Sequence, residues 1–489
     1  MTVEFVSAII KGMAKQLPTL DEIFSPRGVA VVGVSPNGRG FATGILVSLQ
    51  SAGFPAIYPI NPRYEEVFGL RCYHSLQDVP GPVDHVIVSI PAESALSLLD
   101  DCAAKGVRSV HFFTAGFSES GLQERVELER TMLEKARAGG FRIVGPNCIG
   151  LFVPKSKLVN TASIPIEPGP IAFISQSGGH AQNLPEYGSP RGLRFSKIVS
   201  YGNGLDIDES ELLEYFARDP ETEIIAAYIE GVKDGRRFFN ALKTAASVKP
   251  VVIYKGGTTE AGKRAAHGHT ASLTTSVAAF EALCRQMNVI RVDDIDEMVD
   301  VLVALRFAQP IPTGTGIVVA GAGGGPSVLA SDELEKAGLQ MPPLSEAIKS
   351  ELLKFLPMAG AILINPLDAS NLAMPDAIGA TLKVVSRLPD VQIMLYHLGF
   401  HPISSWGGGR FAQPSFLEPT IEAIRAVKQA SGKPVLLVLR QPLNLNNMKD
   451  FLGAQEGFVK AGLPVFYSLH QAGQAISRVI NWKKRQSSQ

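Results

Sequence analysis

Little in this chain of 489 residues points to an exported or membrane-bound protein. Its four cysteines, Cys72, Cys102, Cys148 and Cys284, are so scattered that no CxxC pair or His/Cys cluster has zinc spacing. That is too few for a secreted disulfide scaffold, so the reducing cytoplasm is the simplest compartment. No apolar run is long enough to span a bilayer. The stretch Met1–Leu17, broken by Lys11 and Lys15, reads as an amphipathic lead-in helix and not as a signal peptide. Net charge is also lacking: 46 Lys and Arg balance 46 Asp and Glu. Nucleic acid and anionic membrane are therefore disfavoured as partners.

What is present is a chain for a folded α/β protein, 45% apolar and 19% charged with 47 glycines. At roughly 100–200 residues per domain, two to four domains are expected. Short β-branched runs alternate with helical patterns almost throughout, as in parallel sheets covered on both faces. The spacing predicts strands at Val29–Val34, Ala56–Ile60, His85–Ile90, Ser109–Thr114 and Phe141–Val144. A second block has strands Ile171–Ser175, Lys197–Ser200, Ile224–Ile229 and Val251–Lys255, with helices Ser276–Asn288 and Asp296–Phe307. After a linker rich in Pro and Gly at Gln309–Gly314, a third block has strands Gly316–Ala320, Val391–His397 and Pro434–Leu439. The expected division is a lead-in at 1–18 and domains at 19–150, 151–309 and 310–489.

The first strand runs into Gly33-Val34-Ser35-Pro36-Asn37-Gly38-Arg39-Gly40, with a helix from about Ala42. Backbone N–H groups at such a helix start bind anions. The spacing is not G-x-G-x-x-G, and the next strand ends in Asn61-Pro62-Arg63, where a reader of NAD would place an acid. A cation there suits a phosphorylated ribose, as in coenzyme A or NADP, although a plain surface turn with a solvated arginine has the same spacing.

Gly33–Gly40, Ile57–Arg63, Gly69–Tyr73 and Gly145-Pro146-Asn147-Cys148 resemble the CoA-binding domain of NDP-forming acyl-CoA synthetases, the superfamily of succinyl-CoA ligase. The resemblance, which runs from about Leu20 to Trp482, implies an N-terminal Rossmann-like CoA-binding domain followed by two flavodoxin-like, doubly wound domains. It also implies that Ser35, Pro36, Asn37, Gly38, Arg63, Thr114 and Ala115 line the cofactor, with Asn147 near its thiol end.

In the second block, Gly257 to Lys263 reads G-x-x-x-x-G-K, but Arg264 stands where a P-loop needs a hydroxyl for Mg²⁺. The stretch onward through Ala265-Ala266-His267-Gly268-His269-Thr270-Ala271-Ser272-Leu273 reads as a flexible, basic surface loop. Its two histidines are either solvated or, if an acid fixes the tautomer, able to carry phosphate. The segment from Lys255 resembles the family's phosphohistidine loop. Aligned on His-Thr-x-Ser-Leu, the phosphorylated residue is His269, with His267 the weaker candidate. Glu230, in Tyr228-Ile229-Glu230-Gly231, is then the orienting acid.

Two more glycine turns complete the implied site: Ser175-Gln176-Ser177-Gly178, and Gly323-Gly324-Gly325 ahead of a helix over Val328–Ala337. In relatives such turns bind one phosphate between two helix N-termini, although both are also ordinary strand–helix connections. The family's Ser-Gly-Ala-Leu is Gly178-Gly179-His180-Ala181 here. That places His180 and Gln182 near the acid and points to a polar or unusual carboxylic acid.

No segment resembles an ATP-grasp domain. The resemblance therefore implies an α subunit whose ATP or ADP, with Mg, is held by a partner β subunit, as α₂β₂. The competing reading is a CoA-binding regulatory or scaffold subunit, or an acyl- or carbamoyltransferase on the same scaffold.

Overall fold

The computed structural model describes residues 16–270, 276–321, 323–356, 361–369, 372, 374–399, 414–442 and 445–487, apart from the side chains of 266–270, 399, 414 and 446. The lead-in helix expected before Leu17 lies outside these residues except at its end. The chain divides into one unit of residues 1–186 and 194–293 and another of 187–193 and 294–489.

The first unit holds two sheets. One has five parallel strands in the order Ile57–Ile60, Val29–Val32, His85–Val88, Ser109–Phe112, Arg142–Val144. The other runs Ile290–Val292, Val251–Lys255, Ile224–Ile229, Ile171–Ser175, Phe195–Ser200, Gly150–Phe152, and only the last strand is antiparallel. Every residue of Val29–Val32, Ile171–Ser175 and Ile224–Ile229 is buried, so these strands lack polar alternation. The chain reverses direction across each sheet beside its first parallel strand, which opens a crevice at the strands' carboxyl ends.

The two sheets share a core. Leu46 and Leu49, from the helix Phe41–Ser51, belong to the same buried cluster as Ile174, Leu212 and Phe216. A polar joint reinforces it: Arg142 reaches Asp206 at 2.8 Å and Glu211 at 2.7 Å. Helix starts are capped by acids, with Asp208 accepting from the Glu211 N–H and Asp234 from the N–H groups of Arg236 and Arg237.

The second unit contains a six-stranded sheet ordered Ile362–Leu363, Leu367–Asp368, Ile317–Gly321, Ile393–Gly399, Val435–Arg440, Val465–Phe466. Helix Ile295–Phe307 packs here against Leu469–Ser487. Segment Tyr187–Leu193 belongs here because the buried guanidinium of Arg191 pairs with Asp300 at 2.6 Å and donates twice to the Val465 carbonyl. Among the described residues, no helix is long and apolar enough to cross a membrane.

One sequence expectation changes. The basic stretch expected to be a loop is helical over Glu260–Thr270. Ala261, Lys263, Arg264, Ala265 and Ala266 are strong helix formers, and they outweigh Gly262 and Gly268.

Candidate functional site

At the first sheet's crevice the chain must turn sharply. Gly33 has φ +94°, and a Cβ there would lie 2.4 Å from the Ser89 carbonyl oxygen, so only glycine fits. Beyond it, the Ser35 N–H donates to Thr43 Oγ1 at 3.1 Å and the Asn37 N–H to Ser35 Oγ at 3.4 Å. Pro36, Asn37 and Gly38 stand at the rim ahead of helix Phe41–Ser51.

Asn61, which the sequence reading passed over, ties the next strand to this turn. Its Nδ2 donates to the Val34 carbonyl at 2.7 Å, and its Oδ1 accepts the Arg63 N–H at 3.0 Å. Arg63 is exposed beside the turn. Across the crevice, Thr114 Oγ1 donates to the Ile90 carbonyl at 2.7 Å, and the Thr114 carbonyl accepts the Asn147 N–H at 3.0 Å. Ala115 is exposed. Phe41 stacks on Phe113 at 3.4 Å between ring centroids, joining the two sides. The residues implied for CoA thus converge on one crevice. Its glycine turn opens a helix and a cation stands beside it, as a polyanionic cofactor requires.

The second sheet's crevice brings together Ser175, Ser177, Gly178 and Glu230. Ser175 Oγ donates to the Ser177 carbonyl at 2.6 Å, and Ser177 Oγ accepts the His180 N–H at 3.4 Å, setting the start of helix Gly178–Gly188. Glu230, 5% exposed, directly follows the neighbouring strand Ile224–Ile229. Gln176 joins the two turns, because its Oε1 accepts the N–H of Glu230 at 2.7 Å and of Gly231 at 3.1 Å. Tyr228 donates its hydroxyl to Glu230 Oε1 at 3.1 Å. Burial, and then the nearby Glu230 carboxylate, push the Tyr228 phenol well above its usual range, so it remains a donor.

Lys255 Nζ donates to the Glu230 carbonyl at 2.6 Å, and burial lowers the pKa of its ammonium against the pull of Glu230. Gly256 makes the room, since a Cβ there would lie 2.5 Å from the Tyr228 hydroxyl. His180 meets the Tyr228 ring edge-on at 4.3 Å, while Gln182 is exposed on the helix surface.

From Gly256 the chain enters helix Glu260–Thr270. Lys263 pairs with Glu260 at 2.6 Å on that helix. His267 and His269 lie in its last turn, and their side chains are outside the described residues.

The third glycine turn belongs to the second unit. The Gly323 N–H donates to Asp368 Oδ1 at 2.6 Å, while Gly324 and Gly325 begin helix Gly324–Lys336. Asn365 pins the same edge, accepting from the Val319 N–H and donating to the Ile317 carbonyl. Gln176, Tyr228, Lys255 and Gly256 are the site residues the sequence reading missed. The first two lie inside motifs it had identified, Tyr228 two residues from its partner Glu230 and Gln176 54 positions from it.

Known proteins resemble this chain over nearly its whole length. Residues 27–154 match the model of the CoA binding domain, and residues 168–305 match that of the succinyl-CoA ligase like flavodoxin domain. The ADP-forming acetate–CoA ligase II subunit alpha of Pyrococcus furiosus is 36% identical over 451 residues, covering 91% of this chain and 94% of the relative. The corresponding ligase I subunit alpha of that organism is 31% identical, covering 95% of this chain and 98% of the relative. Acetyl-coenzyme A synthetase 1 of Ca. Korarchaeum cryptofilum, solved with phosphate and ADP, superposes with a TM-score of 0.79 at 30% identity, covering 96% of this chain and 98% of that one. The chain therefore belongs to the ADP-forming acid–CoA ligases, as an alpha subunit with a CoA-binding domain.

Proposed function

We propose that this chain forms acyl-CoA from a carboxylic acid through a phosphohistidine at His269 and an acyl phosphate. The observation that carries the reading is the buried Glu230. It is held at the second crevice by Gln176, Tyr228 and Lys255, beside the start of a helix, whose positive dipole end suits a phosphoryl group. The helix that bears His269 leaves from the adjacent strand.

His269, with its imidazole oriented by Glu230, takes the γ-phosphoryl group of ATP and ADP leaves. A substrate carboxylate oxygen then attacks that phosphorus, the N–P bond breaks, and an acyl phosphate forms. Ser175, Ser177 and Gly178 hold the transferred group at the start of helix Gly178–Gly188, and in the second unit Gly323, Gly324 and Gly325 form a further phosphate-binding helix start. The acyl group ends on the CoA thiol, inorganic phosphate leaves with the thiol proton, and Ser35–Gly38, Arg63, Thr114, Ala115 and Asn147 hold the cofactor. All steps are reversible.

ATP or ADP with Mg sits on a partner ATP-grasp β subunit in an α₂β₂ complex. The longer ADP-forming ligase I of Archaeoglobus fulgidus, of which this chain covers 64%, leaves room for such a part within one polypeptide. His180 borders the acid's place, and four buried cysteines suit a reducing cytoplasm.

The test is labelling of the reconstituted complex with γ-³²P-ATP, followed by assay against short, aromatic and dicarboxylic acids. Acid-labile label should appear on the wild-type chain and vanish in His269→Ala. If His269→Ala keeps both label and acyl-CoA formation, the mechanism is wrong.

A further inference from the structure

The turn after strand Ser109–Phe112 is held by groups that the proposed steps leave unused. Glu119 Oε1 accepts the Gly116 N–H at 2.6 Å, and both its oxygens lie 3.2 Å from the Phe117 N. Glu129 Oε1 accepts the Ser118 N–H at 3.3 Å. Three successive amides are thus tied to two carboxylates, directly after Thr114 and Ala115.

Both carboxylates converge on one group from the neighbouring sheet's domain. Asn203 Nδ2 donates to Glu119 Oε2 at 2.6 Å and to Glu129 Oε1 at 2.8 Å. Asn203 is 2% exposed and stands in the turn after strand Phe195–Ser200. That turn is pressed onto the first sheet's last turn, where the Asn203 N–H donates to the Pro146 carbonyl at 3.0 Å. Gly202, at φ +52°, would place a Cβ 2.2 Å from the Pro146 oxygen, so the approach needs glycine. The helix Glu260–Thr270 packs against the same Ser118–Ser120 segment.

We infer that Asn203 is a positioning residue for the cofactor turn. Its amide supplies the donor that lets two carboxylates lie side by side, and they in turn fix the Gly116–Ser118 backbone. Thr114 and Ala115 are thereby registered on the second sheet, where acyl transfer takes place. Alanine at 203 would leave the two carboxylates facing each other without a donor. Aspartate would place a third negative charge where a hydrogen is needed. The inference rests on the CoA role proposed for Thr114 and Ala115.

The experiment compares wild type, Asn203→Asp and the double variant Asn203→Asp/Glu119→Gln in the reconstituted complex. In the double variant the new amide at 119 can accept from Gly116 and Phe117 through its oxygen and donate to the new carboxylate at 203. CoA affinity is measured by isothermal titration, acyl-CoA formation by turnover, and phosphorylation by label from ATP without CoA.

Asn203→Asp should weaken CoA binding about tenfold or more, the scale of one misplaced buried hydrogen bond. Phosphate label should stay within about twofold of wild type, a change too small to reflect a lost hydrogen bond, and the double variant should regain most of the CoA affinity. Hydrogen exchange at Gly116–Ser118 should quicken in Asn203→Asp alone. Unchanged CoA affinity in Asn203→Asp, a parallel loss of label, or no recovery in the double variant would each overturn the inference. If wild type fails to bind CoA or take up label, the failure lies in the proposed function, not in Asn203.

Discussion

The two crevices of the first unit are built from the same parts, a parallel sheet, a switch in strand order and a tight turn, yet they are finished differently. The first leaves its functional groups at the surface: Arg63 and Ala115 are exposed, and Gly38 has open space around it. In the second, Glu230 is buried, and its backbone and carboxylate meet Gln176, Tyr228 and Lys255. A large cofactor that must enter and leave at each turnover gains from open, charged edges. A group that orients a nucleophile gains from fixed geometry. Changes in the first crevice should therefore appear mainly in KM, and changes in the second mainly in kcat.

The largest effect should come from Glu230→Gln. It keeps the shape but removes the charge that, in the proposed mechanism, stabilises a developing imidazolium, so the rate of His269 labelling should fall by about 10³-fold, within the range seen when a preorganised electrostatic partner is lost. The CoA dissociation constant should barely move, because the proposed CoA site is the other crevice. Stopped-quench labelling and titration on the same preparation check both. Equal losses in rate and CoA affinity would erase the contrast between the two crevices.

Gly256→Ala comes next. Its methyl would fall 2.5 Å from the Tyr228 hydroxyl, which must then leave Glu230 Oε1. Overpacking costs about 1–3 kcal/mol, so labelling should slow by roughly 10–100-fold with acid KM unchanged. Tyr228→Phe should show a smaller loss in the same direction, since it removes the hydrogen bond without the clash. If Tyr228→Phe is as active as wild type, the hydroxyl does not hold Glu230 in a way that matters.

Much of this architecture is legible in the sequence, for a physical reason. Fully buried parallel strands have to be short β-branched runs, and the expected Ile171–Ser175, Ile224–Ile229 and Val251–Lys255 match the observed strands residue for residue. Glycine turns are legible because positive φ and close approach leave little choice, as at Gly33. The wiring between turns is not. Gln176 finds Glu230 across 54 positions, and Asn203 finds Glu119 across 84, with no local spacing to announce either. The helix Glu260–Thr270 escaped because two glycines and two histidines look loop-like when the alanines and cations between them are not weighed.

The first crevice offers a milder test. Arg63→Ala should raise the KM for CoA by about tenfold at low salt and by less at 0.5 M salt, because an exposed charge acts through a screened field. The kcat should stay within about twofold, since an exposed cation lends little to the reacting groups. A KM that is insensitive to salt would mean that Arg63 does not meet an anion.

The two sheets should also differ in the sign of their response to pH. In the first sheet, His85 and His111 stack at 6.3 Å, fully buried on adjacent strands. His85 shares a hydrogen bond with Ser109 Oγ, and His111 one with the Cys148 carbonyl. Burial, with the neighbouring His111, pushes His85 down to about 3, and burial pushes His111 down to about 4. Both stay neutral when folded but take up protons near 6.5 when unfolded, so their stabilisation is present above 6.5 and is lost as pH falls.

In the second sheet's domain, burial pushes Glu209 up to about 7. It keeps its proton when folded and loses it near 4.5 when unfolded, so its stabilisation is present below 4.5 and is lost as pH rises to 7. Between pH 7 and 6 each histidine should cost, and Glu209 should return, on the order of 1 kcal/mol. Hydrogen exchange corrected for intrinsic rates should therefore show strands His85–Val88 and Ser109–Phe112 loosening over that interval while helix Glu209–Arg218 tightens. Glu209→Gln should abolish the second trend and leave the first. Parallel trends in both regions would mean that the two sheets unfold as one cooperative body, with the three protons pooled across their shared core.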